Sequence, residues 1–133
     1  MMKIERIDHL VLTVNNTEVT CNFYCCVLGM QVVTFGNCRK ALQFGCQKIN
    51  LHEFGNEFEP KANHPTRGSV DICFITNTLL SQVQEHISAC GVKIIADPVT
   101  RTGAIGAIES IYLRDPDGNL IEVSNYWNSN QTY

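Results

Sequence analysis

The sequence predicts an α+β fold in which two β-α-β-β-β modules pair within one domain and curve their sheets into an open barrel or cup. Three observations predict it. The segment HLVLTVNNTEVTCNFYCCVLGMQVV, from His9, matches in pattern DICFITNTLLSQVQEHISACGVKII, from Asp71, at an offset of 71 − 9 = 62 that also superposes Gly29 on Gly91. Self-similarity of this kind marks a repeated structural unit. In each copy a short apolar run meets an Asn, switches to helical spacing and ends at a glycine, the residue best suited to the left-handed turn past a helix. The chain has 133 residues, the length of one domain and too short for two independent cores. A module whose helix covers one sheet face must hide the other against something, and its own copy is the nearest candidate.

The elements follow in order. Residues 7–14, IDHLVLTV, are rich in β-branched and large apolar side chains and read as a strand. Cys21, Tyr24, Cys25 and Leu28 recur at helical spacing before Gly29. QVVTFG, KALQFG and QKINLHEF then give three short strands separated by glycine or polar breaks. Module 1 therefore spans residues 4–54, and a polar linker with two prolines, GNEFEPKANHPTRG, fills residues 55–68. Module 2, residues 69–127, opens with a strand at 70–76 and a helix marked by Leu80, Val83, Ile87 and Cys90 before Gly91. VKIIADP is its next strand, and TRTGAIGA, residues 100–107, reads as a loop. ESIYLRDPDGNLIEVSNY reads as a hairpin turning at Asp115-Pro-Asp-Gly118. The terminal WNSNQTY reads as frayed.

Composition narrows the function classes. Ten Lys and Arg against thirteen Asp and Glu leave a net charge of −3, so no positive field exists to hold a phosphate backbone, and a nucleic-acid partner is not expected. No stretch of about 18 apolar residues occurs, and Lys3, Glu5, Arg6 and Asp8 interrupt the N-terminus, so neither a membrane span nor a secretory signal is expected. The expected location is the cytoplasm, with the mitochondrion as the organelle alternative. Seven cysteines, an odd number with no Cys-x-x-Cys pair, argue for free thiols over a disulfide framework or zinc knuckle. The N-x-Thr matches at Asn15 and Asn130 would matter only in a secreted chain.

Period-two alternation sorts the strand residues by face. His9, Val11 and Thr13 lie opposite Leu10, Leu12 and Val14, and Asn50 and His52 lie opposite Ile49 and Leu51. In module 2, Asp71 and Cys73 lie opposite Ile72 and Phe74. Ser110, Tyr112 and Arg114 lie opposite Ile111 and Leu113, while Glu122 and Ser124 lie opposite Ile121 and Val123. The polar faces either meet solvent or line a site. Their His, Asp, Asn, Tyr and Glu content, in place of the usual solvated Lys and Thr, favours a site.

IDHLVLTV, FYCCVLGM and the DPDGN-x-x-E hairpin YLRDPDGNLIEV together resemble the glyoxalase / bleomycin-resistance / vicinal oxygen chelate superfamily, over residues 4–127. The resemblance implies one glyoxalase-like domain and a divalent metal, Fe, Mn, Zn or Ni, held by inward residues from the first and last strand of each module. Carried over, those are His9, Asn50, Asp71 and Glu122. His9 and Glu122 fit the superfamily pattern. Asp71 stands where many members have His, and Asn50 where glyoxalases usually have Glu. An amide oxygen is a neutral, weaker donor than a carboxylate, so an exchangeable metal is expected, and lactoylglutathione lyase chemistry is not. Asp71 has the alternative of hydrogen-bonding nearby backbone N–H groups.

By resemblance the chemistry is chelation of two adjacent oxygens of a small-molecule substrate, with lyase, isomerase, transferase and dioxygenase types all open. Glu122 is the candidate proton acceptor and His52 a proton shuttle or substitute ligand, with a hydrogen-bonded wall histidine as the alternative for His52. Ser110 and Tyr112 are candidate substrate contacts, although the Tyr112 ring would equally fill space. Arg101 falls on the predicted 100–107 loop, where module 2 is ten residues longer: Glu122 lies 122 − 50 = 72 beyond Asn50, against a module offset of 62. A lid carrying an arginine clamp is one expectation and a solvated arginine the other. Relatives pair their modules within one chain or exchange them between two, so a homodimer is expected as a partner. A metal-free protein that sequesters a ligand, as bleomycin-resistance relatives do, is the competing function, and fold alone does not separate the two.

Overall fold

The computed structural model describes residues 1–127, so the terminal segment beyond Trp127, with Asn130, lies outside the described residues. The described residues divide into two compact units, residues 1–68 and those from Ser69 onward. The element order of each is β-α-β-β-β. Unit 1 contains β1 (His9–Val14), α1 (Thr17–Leu28), β2 (Gln31–Phe35), β3 (Arg39–Phe44) and β4 (Gln47–Glu53). Its sheet has the order β1-β4-β3-β2, with β1 parallel to β4 and the other pairs antiparallel. Unit 2 contains β5 (Asp71–Ile75), α2 (Leu80–Ala89), β6 (Ile94–Thr102), β7 (Ala107–Arg114) and β8 (Leu120–Tyr126). Its order, β5-β8-β7-β6, and its pattern of one parallel and two antiparallel pairs repeat those of unit 1.

Local chemistry explains where the helices begin and end. Asn16 Oδ1 accepts the Val19 N–H at 3.0 Å, a side-chain cap on donors that the first turn leaves unpaired. Gly29 ends α1 at φ 67°, which costs a residue without Cβ little. A second cap is shared by both units and was hidden from the sequence. The last strand sends a side chain to the start of the helix: Glu53 Oε1 accepts from Thr17 N at 3.2 Å, and Asn125 Oδ1 accepts from Leu80 N at 2.9 Å. Glu53 and Asn125 are separated by 125 − 53 = 72, the same interval as Asn50 and Glu122. Repetition thus extends from pattern to specific hydrogen bonds.

The apolar face of each sheet meets its helix. Leu12, Val14, Leu42, Ile49 and Leu51 are buried in unit 1 with Tyr24 and Val27 of α1; Ile111, Leu113, Ile121 and Val123 are buried in unit 2 with Leu80 and Ile87 of α2. The buried stripe of α1 is Thr20, Cys21, Tyr24 and Val27, which keeps Cys21 and Tyr24 of the predicted stripe, while Cys25 is exposed and Leu28 half-buried. Cys90 likewise is exposed, at the α2 C-cap. All seven cysteines are free thiols. Among the described residues no helix is long and apolar enough to cross a membrane.

The predicted 100–107 loop is corrected. Thr100–Thr102 belong to β6 and Ala107 to β7, so only residues 103–106 form the turn, closed by Gly103 N–H to Gly106 O at 2.7 Å. Ten extra residues have lengthened a hairpin: β6 has nine residues against five in β2 and absorbs two register shifts. Backbone pairing from Thr102↔Ala107 inward holds this segment as ladder, which removes the basis for a long lid.

Candidate functional site

Each unit presents a polar sheet face opposite its helix, and cross-strand partners share that face. In unit 1 the register places Val11 beside Asn50 and Thr13 beside His52, with His9 beside Lys48. His9 is exposed, and its Nδ1 lies 2.8 Å from Asp8 Oδ2. With Nδ1–H donating to that carboxylate, Nε2 keeps its lone pair, the arrangement that carboxylate–histidine pairs use to ready an imidazole for a metal. This hydrogen bond is also the main reason the Asp8 carboxyl is held below its usual value. Asp8 was not among the sequence-derived site residues, although its adjacency to His9 was visible.

Asn50 and His52 sit two residues apart on β4 and are both buried, at 6% and 3% exposure. Asn50 Oδ1 and His52 Nε2 are buried atoms with no hydrogen-bond partner among the described residues. Burying a polar atom without a partner costs roughly 1–3 kcal/mol, so two on one strand face are unusual in a purely structural sheet. Burial, with the Arg39 guanidinium nearby, pushes the His52 pKa down, which keeps the ring neutral and its nitrogen lone pair available. Above the ring is Phe58 from the linker, with ring centroids 5.7 Å apart.

Unit 2 builds its face around a carboxylate. Ser110 Oγ donates to Glu122 Oε2 at 2.5 Å, Ser124 Oγ lies 3.5 Å from the same oxygen, and the two hydroxyls are 2.7 Å apart. Ser110 and Ser124 are fully buried and directly opposite in the β7–β8 register, and Tyr112 is opposite Glu122. Ser110 donates to the carboxylate and accepts from Ser124, a relay that holds Oε2 in place and leaves Oε1 outside this serine pair. Cys73, paired with Glu122 across β5–β8, lies 3.2 Å from Ser124 Oγ. Desolvation pushes the Cys73 thiol up and the Glu122 charge adds to the shift, so the group stays a thiol. Sequence alternation had put Cys73 and Ser124 on this face without giving either a role.

Of the remaining predicted residues, Asp71 is exposed at the start of β5, opposite Leu120. Arg101, now a strand residue, donates from Nε to the Tyr112 hydroxyl at 3.0 Å. That contact gathers Tyr112, Arg101, Ser110 and Glu122 on one face of unit 2. His9, Asn50 and His52 are on the corresponding face of unit 1. Among the described residues no group of three or more His, Cys, Asp or Glu side chains is clustered as a metal-holding set. The donor types of the unit 1 face, an imidazole oriented by a carboxylate and a buried amide oxygen and neutral imidazole nitrogen, are of the kind that divalent ions accept.

Comparison with known proteins agrees with this architecture. The family model described as "Glyoxalase/Bleomycin resistance protein/Dioxygenase superfamily" matches residues 6–123. Virulence protein STM3117 of Salmonella typhimurium is 59% identical over 125 residues, covering 94% of this chain and 87% of that protein. Its crystal structure superposes with a TM-score of 0.93. Glyoxalase domain-containing protein RDO1 of Mycosarcoma maydis is 51% identical over 125 residues, covering 94% of this chain and 70% of that one. The integron cassette protein VCH_CASS1 from the mobile metagenome of V. cholerae is 61% identical with a TM-score of 0.93, covering 95% and 98% of the two chains.

Proposed function

The chain belongs to the Glyoxalase/Bleomycin resistance protein/Dioxygenase superfamily, and on that premise we propose that it is a metal-dependent vicinal oxygen chelate protein acting on a small oxygenated molecule. Its ligands to a divalent ion, Fe, Mn, Zn or Ni, are His9, Asn50, Asp71 and Glu122. Such an ion supplies Lewis acidity for charge that builds on two adjacent substrate oxygens. The observation that carries this reading is the pair of buried, unpartnered donor atoms Asn50 Oδ1 and His52 Nε2 on the strand face that also bears the β1 histidine.

The chain's own groups then divide the work. Asp8 fixes the His9 tautomer, and Ser110 and Ser124 fix Glu122, which accepts a proton from the substrate. His52, neutral near pH 7, relays a proton through Nε2. Tyr112, held by Arg101, contacts the substrate's oxygens, while Ser110, fully buried and bonded to Glu122 and Ser124, acts on the substrate only through Glu122. Replacing the usual Glu by Asn50 leaves Glu122 as the one carboxylate of the last-strand pair, which argues for a reaction needing a single base over two-carboxylate isomerisation. Within the family, the strings at residues 49–65 and 101–126 resemble glyoxalase domain-containing protein 5. We further place the protein in the cytoplasm, where seven free thiols persist, and as a homodimer, which light scattering of the purified protein reads directly.

Metal analysis tests the reading. Protein purified after growth with added Fe, Mn, Zn and Ni is expected to hold about one divalent ion per chain, and His9→Ala to lower that occupancy. Wild-type protein that stays empty in every medium would overturn the metal-dependent reading in favour of a ligand-sequestering protein.

A further inference from the structure

The polar face of unit 1 holds a cation that has no acidic partner among the described residues. Arg39, on β3, lies with its guanidinium carbon 5.0 Å from the Phe35 ring centroid and 4.5 Å from that of Phe58. Its Nε is buried and without a hydrogen-bond partner. The ladder pairs Ala41 with Asn50, so Arg39 and His52, each two residues further on, fall side by side. Their buried, unpartnered nitrogens, Arg39 Nε and His52 Nε2, share the Phe58 ring as a neighbour. The acids closest to this corner are engaged elsewhere. Glu57 Oε1 accepts the Gly55 N–H at 3.1 Å, and Glu59 pairs with Lys61 at 3.6 Å.

An unpaired guanidinium between two aromatic rings repels a metal ion and attracts an anion. The rings thin the water around it and so strengthen a charge-assisted hydrogen bond. A carboxylate answers the Nε–H, and the His52 Nε2 lone pair, from the neighbouring strand, accepts from a hydroxyl of the same molecule. We propose that Arg39 and His52 form a subsite for a carboxylate that carries an oxygen substituent on the adjacent carbon, making the substrate class a small 2-oxygenated acid. A groove of about 340 Å³ opens further along the same face, lined by Phe35 and Lys48 together with Asp8, Gln43 and Gln47. Lys48 Nζ, 3.9 Å from the Phe35 ring, adds a second positive charge at its edge. This inference rests on the proposed function only for the face it uses, because anion capture by Arg39 needs no metal.

Titration of the metal-stripped full-length protein with glycolate, followed by NMR, tests it, with acetate and glycolamide as controls lacking the hydroxyl and the charge. Glycolate is expected to saturate and glycolamide to bind at least tenfold more weakly. Arg39→Gln is expected to reduce glycolate affinity about tenfold or more. Arg39→Lys keeps the charge without the Nε–H and serves if the glutamine variant fails to fold; a several-fold loss is expected. His52→Gln is expected to bring glycolate down to the affinity of acetate. Because the protein titrated is metal-stripped, saturation by glycolate does not depend on a metal at His9, so a failed metal reading and a failed subsite give different results. Equal binding of glycolate and glycolamide, or undiminished binding by a folded Arg39 variant, would overturn the proposal.

Discussion

Ser110 holds Glu122 across the β7–β8 ladder with a 2.5 Å hydrogen bond, from a side chain that is itself fully buried. The hydroxyl is doubly committed, since Ser124 Oγ lies 2.7 Å away. An uncharged amide in place of the carboxylate keeps the shape and an acceptor oxygen for Ser110 but cannot act as an anionic ligand or base. Glu122→Gln is therefore expected to lower bound metal and end turnover, while thermal melting moves by no more than a few degrees. Calorimetry beside metal analysis checks both halves. A collapse of the melting transition would make Glu122 a structural residue.

Asp8 acts on the metal only through His9. The 2.8 Å contact orients the ring and fixes which nitrogen is free. Asp8→Asn keeps a hydrogen-bonding group but removes the charge that sets the tautomer, and metal affinity is expected to fall about 10-fold or more. Competition with a chromogenic chelator measures this. Unchanged affinity in the variant would make the contact a surface ion pair of little consequence.

Metal-free protein is expected to lose stability on mild acidification because of His52. Burial, with Arg39 second, holds its folded pKa below the ordinary value of 6.5. Between 6.5 and the lower folded value the unfolded chain binds a proton that the folded chain refuses. Stability from this group is therefore intact above about pH 6.5 and declines as the pH falls through that window. Denaturation midpoints from pH 7.5 downward are expected to fall less steeply for His52→Gln. Parallel curves for the two proteins would refute the assignment.

The repeat, both helices and the alternation of faces were legible because periodicity and glycine position record them directly. His9, Asn50, His52, Ser110 and Glu122 were placed on the correct strand faces for the same reason. Other features were not legible. Two of the four predicted α1 positions differ because Cys25, Val27 and Leu28 are all apolar, and only packing decides which is buried. The extension of β6 through Thr102 escaped notice because Thr, Gly and Ala around Arg101 resemble a loop, whereas long-range pairing with β7 makes them a strand. Arg39 escaped for a further reason. Its neighbours Phe35, Phe58 and His52 come from a hairpin, a linker and a different strand, and no local spacing brings these together.

The DPDGN hairpin was read as a turn, and its Asn does more than complete it. Asp115 Oδ1 accepts the backbone N–H groups of Asp117 and Asn119, each at 2.9 Å, while Asn119 Nδ2 donates to Asp115 Oδ2 at 2.8 Å. Asn119 Oδ1 in turn accepts the Val70 N–H at 2.9 Å, and Leu120 N donates to Val70 O at 2.9 Å. Val70 immediately precedes Asp71, so this one side chain ties the β7–β8 turn to the entry of β5 and sets the β5–β8 register that puts Cys73 beside Glu122. Asn119 is fully buried. Asn119→Ala removes the acceptor of the part-buried Val70 N–H and the donor to Asp115 Oδ2, and a loss of about 2–3 kcal/mol is expected. Asn119→Asp keeps an acceptor for Val70 but sets a second carboxylate against Asp115, so it is expected to be no better than the alanine variant at neutral pH and to recover when acid protonates one of the pair. Urea denaturation of the three proteins at pH 7 and pH 5 distinguishes this from a simple cavity effect, in which the aspartate variant would match the wild type at both.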